Sequence, residues 1–79
     1  MAYVVTNQQS EEHPSGVVYC DDMDHARRYE GVLREMGHHA HAFEDAGAMR
    51  HALDCGDFSQ WHGGAELQEI ATVFLASSS

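Results

Sequence analysis

Histidine is the residue type here with the widest chemical reach, and seven are present: His13, His25, His38, His39, His41, His51 and His62. On a strand, His39 and His41 leave the same face at an i, i+2 spacing that two ligands of one metal can adopt, with Cys20, Cys55 and His25 as further donors. Zinc sites, however, are marked in sequence by close ligand pairs such as Cys-x-x-Cys or His-Glu-x-x-His, and neither occurs. The residues read better as imidazoles scattered over a half-exposed strand and its loops, so no metal or other cofactor is expected. Cys20 stands directly before a helix start, a position that stabilises thiolates. Asp21 and Asp22 work against that by raising its pKa, and no phosphate-cradling loop with a downstream Arg follows. A small core cysteine is the expectation. Gly63-Gly64 lacks the spacing of a dinucleotide or phosphate loop and reads as a flexible turn. Nothing marks a nucleophile elbow. Asp21-Asp22 has the character of a helix cap rather than an acid/base pair. Trp61 and Phe58 read as packing residues, with a lone Trp in a polar connector as the alternative, an interface anchor. No catalytic constellation emerges, and the chain is read as a non-enzyme.

The carboxylates make the stronger pattern. Thirteen acidic residues face four basic ones, the net charge is −9, and Lys is absent. Binding a phosphate backbone or an anionic membrane requires Lys and Arg, so direct nucleic-acid and membrane binding are excluded as expectations. Such a field attracts basic partners and speeds encounter with them; the plainer alternative is that it only keeps a small protein in solution. Asp21, Asp22, Asp24, Glu30 and Glu35 lie on or beside the first helix expected below. Glu44 and Asp45, with Asp54 and Asp57, bracket the second. Carboxylates held on a folded surface can imitate phosphates and occupy a basic groove, so Asp21, Asp22, Asp24, Glu30 and Glu35, then Glu44 and Asp45, are the candidate partner contacts. Arg27, Arg28 and Arg34 interrupt the stripe on the first helix. Contacts of this kind weaken with salt. Protonation of all seven histidines would carry the charge from −9 to −2, so binding should also weaken on acidification.

The elements that must position these residues follow from patterning. Tyr3-Val4-Val5-Thr6 and Gly16-Val17-Val18-Tyr19-Cys20 are β-branched and aromatic runs of strand length. The polar stretch 7–15 between them is a loop that allows an antiparallel hairpin. Asp21 to Asp24 opens a helix, with Asp as N-cap and first-turn charge. Met23, Ala26, Tyr29, Leu33 and Met36, with Val32, form its apolar stripe, Glu30 and Arg34 pair across one turn, and Gly37 stops it. His38 to Glu44 is a third strand. Asp45 caps a second helix with Met49, Ala52 and Leu53 inward and Gly56 at its end. For Ala65 to Ala76, Leu67, Ile70, Ala71 and Phe74 fit a helix while Thr72-Val73-Phe74-Leu75 would serve as a strand; helix is preferred. Residues 77–79 are a frayed tail. The whole, residues 1–79, is one domain of class α+β: a small antiparallel sheet of about three strands with two or three helices on one face.

At 79 residues such a domain buries only about 60–65% of its unfolded surface, so it has little stability to spare and a homodimer interface would help it. Two cysteines are too few for a disulfide-stapled secreted domain. With no basic start and apolar run, and no apolar stretch of about 18 residues, neither signal peptide nor membrane span is expected, and the location read is the cytoplasm.

In size, charge and the general run of its sequence, including Gly16-Val17-Val18-Tyr19-Cys20-Asp21-Asp22-Met23-Asp24-His25 and His38-His39-Ala40-His41-Ala42-Phe43, the chain resembles the small acidic anti-CRISPR proteins of the type I-C class. These proteins share no common motif, so none of their residues carries over. The resemblance implies a stoichiometric inhibitor, encoded by a phage or mobile element, that binds the Cascade-type surveillance complex in a bacterial host and blocks target DNA; binding the effector nuclease is equally compatible. The alternative function is a small accessory or regulatory module that dimerises through its sheet edge or the Trp61 region.

Overall fold

The computed structural model describes residues 1–8, 15–61 and 63–77; the middle of the polar loop, His62 and the last two serines lie outside the described residues. Three strands form one sheet in the order β2-β1-β3: β1 (Ala2–Thr6), β2 (Val17–Cys20) and β3 (Ala40–Phe43). Both outer strands run antiparallel to β1, in registers that set Ala2 against Cys20 and Tyr3 against Phe43. β2 and β3 are therefore parallel to each other and joined by α1 (Met23–Glu35). After β3 come α2 (Ala46–Cys55), a 3-10 turn (Asp57–Gln60) and α3 (Gly64–Ser77).

The α+β class is as expected. The placement of helices on one face is not, because they divide between both. Ala2, Val4, Val18, Cys20, Ala40 and Ala42 meet Ala26 and Leu33 of α1 on one side. Val5, Val17 and Phe43 meet α2, the 3-10 turn and α3 on the other, around Met49, Phe58, Leu67 and Ala71. The cause lies in β1 and β2. Neither alternates apolar with polar residues as a half-solvated strand does; each is apolar on both faces and has to be covered on both.

Local signals place the helices well. Asp22 is the N-cap of α1, accepting the His25 N–H at 2.8 Å, and Asp45 caps α2, accepting the Ala48 N–H at 2.7 Å. α1 ends at Met36 with Gly37 at φ +90°, where the Gly37 N–H donates to the Arg34 carbonyl and the His38 N–H to that of Leu33, a Schellman closure. Ala26 and Leu33 are buried as the stripe requires, but Val32 and Met36 stand out in solvent at 54% and 59% exposure. The last segment is a helix: Leu67, Ala71 and Leu75 stack on one buried face, and the Thr72 hydroxyl donates to the Gln68 carbonyl, absorbing the residue that most favoured a strand.

Gly63-Gly64 is a close-packed junction rather than a flexible turn. A Cβ at Gly64 would overlap the Phe58 carbonyl, and one at Gly63 would run into the His39 ring. Among the described residues no helix is long and apolar enough to cross a membrane.

Candidate functional site: the acidic end of the sheet

Because β2 and β3 point the same way, their C-terminal ends emerge at one end of the sheet. Each leads straight into an acidic helix start: Asp21, Asp22 and Asp24 after β2, Glu44 and Asp45 after β3. The two junctions flank the start of β1, two strand spacings or about 10 Å apart. All five residues are exposed. Asp22 and Asp45 each use one carboxylate oxygen as a cap, and none of the five makes an ion pair among the described residues.

Two other candidates fall elsewhere. Glu30 turns inward beside β3: Oε2 accepts the Ala42 N–H at 2.6 Å and Oε1 lies 3.5 Å from the Arg34 guanidinium. Arg34 in turn donates through Nε to the Ala40 carbonyl at 3.0 Å. The pair thus occupies the outer edge of β3 as a neighbouring strand would, and Glu30 does structural work there. Glu35 is exposed, but it sits eleven residues beyond Asp24, about 16 Å along the axis of α1. The cluster at the sheet end is Asp21, Asp22, Asp24, Glu44 and Asp45.

Among the described residues no three His, Cys, Asp or Glu side chains are placed to hold a metal. His41 instead stacks on Trp61, with ring centroids 3.8 Å apart and planes 14° from parallel, and Trp61 also packs on Phe58. Burial holds the His41 pKa below the ordinary imidazole value; Glu30 pulls the other way, and Arg34 adds to the lowering. Cys20 is buried, and that burial, reinforced by Asp21 and Asp22, raises its thiol pKa. Cys55 is exposed on α2 with Sγ 3.5 Å from Nε2 of His51. At the opposite end of β3 from the carboxylates, a cleft of about 670 Å³ is lined by Arg34, His38, His39, His41, Gln60 and Trp61. Sequence reasoning did not foresee this grouping, because Gln60 and Trp61 reach β3 only through the packing of the 3-10 turn.

No protein-family model matches the chain, and comparison with curated proteins and with solved structures gives no match.

Proposed function

We propose that this chain is a non-enzymatic acidic inhibitor that docks the carboxylate end of its sheet onto a basic, DNA-binding surface of a nucleoprotein complex. The observation that carries the reading is topological: parallel β2 and β3 deliver Asp21, Asp22, Asp24, Glu44 and Asp45 to one exposed end, with no ion-pair partner among the described residues. Carboxylates so placed compete with phosphates for Lys and Arg side chains and steer encounter with them. The partner class follows from the sequence resemblance: a type I CRISPR-Cas surveillance complex of Cascade type, met in the cytoplasm of a bacterial host.

The test is a gel shift of a purified type I-C surveillance complex on its target duplex across a salt series. The wild-type chain should abolish DNA binding at low salt and lose its effect as salt rises. A variant carrying D21N, D22N, D24N, E44Q and D45N keeps both caps, since Asn caps as well as Asp. It should stay folded and fail to inhibit. Inhibition by the neutralised variant at wild-type strength, or undisturbed DNA binding with the wild-type chain, would reject the proposal.

A second reading, an accessory module acting as a homodimer, gains support from the outer edge of β2, where the Val17 carbonyl and the Tyr19 backbone groups have no partner among the described residues.

A further inference from the structure

The two outer strands are treated differently. Antiparallel ladders alternate between residues that bond across the pair and residues that turn their N–H and C=O away. The Asn7 N–H donates to the His39 carbonyl, so Ala40 and Ala42 are the outward residues of β3, the two that Arg34 and Glu30 satisfy. On the other side the Thr6 N–H donates to the Gly16 carbonyl, so Val17 and Tyr19 are the outward residues of β2. The Val17 N–H reaches Ser15 Oγ at a long 3.4 Å. The Val17 carbonyl and both backbone groups of Tyr19 have no partner among the described residues.

Exposed apolar side chains frame this open edge. Tyr19 is 57% exposed and Val73 of α3 61%. Tyr19 touches Phe74, which places the Val73 side of α3 beside β2. On the other face of the sheet, Val32 and Met36 lie along the flank of α1 that turns away from the Glu30–Arg34 pair guarding β3. Unguarded edges bordered by apolar surface are where strands of another chain add.

We propose that β2 pairs antiparallel with β2 of a second copy of this chain, about a twofold axis through Val18, giving a six-stranded sheet. A copy fits for two reasons. In this register Val17 lies opposite Tyr19 of the second copy, so the outward groups meet their counterparts. The same register sets Asp21 opposite Ser15 and Cys20 opposite Gly16, so no carboxylate faces another across the pair. The remaining obstacle is the −9 charge on each chain, a repulsion that salt screens. Dimerisation should therefore strengthen with salt, opposite in sign to docking at the acidic end, and a failed dimer leaves the inhibitor proposal standing.

Sedimentation equilibrium from micromolar to millimolar chain, at low and high salt, should show the mass rising from 8.8 kDa toward twice that value, at lower concentration in high salt. Amide exchange by NMR should show the Tyr19 N–H becoming protected as the dimer forms. Tyr19→Lys should raise the dimer Kd by about tenfold or more with the helical circular dichroism intact. Should that variant fold poorly, Val73→Lys is read in the same way. A monomer at every concentration and salt, or a dimer in which the Tyr19 amide still exchanges freely, would overturn the proposal.

Discussion

Glu30 serves three groups at once: the Ala42 amide, the Arg34 guanidinium and, at 4.0 Å, the His41 ring. A charged acceptor on a partly buried amide is among the stronger hydrogen bonds. Glu30→Ala should cost about 2 kcal/mol in urea denaturation, whereas Glu35→Ala on the same helix should stay within about 0.5 kcal/mol. Equal effects would refute the edge-guarding role. His41 supplies a pH dependence with a definite sign. Its pKa is lower in the folded chain than in the unfolded one, so the unfolded chain takes up the proton first as pH falls. Its contribution to stability is fully present above about pH 6.5, the unfolded value, and is lost as pH falls through the folded value. Melting temperature should fall as pH drops below about 6.5, and His41→Phe, which keeps a ring against Trp61, should flatten that decline.

At the scale of elements, the two strand-to-helix junctions carry both fold and proposed function. Asp22→Ala and Asp45→Ala should each cost about 1 kcal/mol by removing a cap, while the Asn variants should be nearly neutral. Thermal melts of the four variants separate the cap from the charge. The 3-10 turn and α3 meet through Gly64, where a side chain has no room against the Phe58 carbonyl. Gly64→Ala should therefore destabilise by about 2 kcal/mol or more, although Ala is the better helix former. A neutral or stabilising result would mean that the junction relaxes at little cost.

At the scale of the molecule, charge and apolarity are sorted by direction. Carboxylates gather at one end of the sheet, Arg34 and three histidines line a cleft at the other end of β3, and exposed apolar side chains border β2. The salt responses expected of the acidic end and of the β2 edge have opposite signs, so a single ionic-strength series, read by gel shift and by sedimentation, assigns an effect to one surface or the other.

The sequence by itself determined what local physics controls. The helix starts at Asp22 and Asp45, the stops at Gly37 and Gly56, the strands and the acidic balance all follow from backbone preferences, periodicity and composition within a few residues. Apolarity on both faces of β1 and β2 stands in the sequence, yet strand patterning led to the expectation of helices on one face; the packing of α1 against one side and of α2 and α3 against the other corrects it. Beyond the Glu30–Arg34 pair one helical turn apart, only the tertiary structure decided which charged residues are neighbours. Glu30 and Glu35 look alike on a helical stripe, yet one meets the edge of β3 and the other solvent, a difference fixed by how α1 crosses the sheet. The carboxylates after β2 and those after β3 are twenty or more residues apart in the chain and become one cluster only because both strands run antiparallel to the β1 between them.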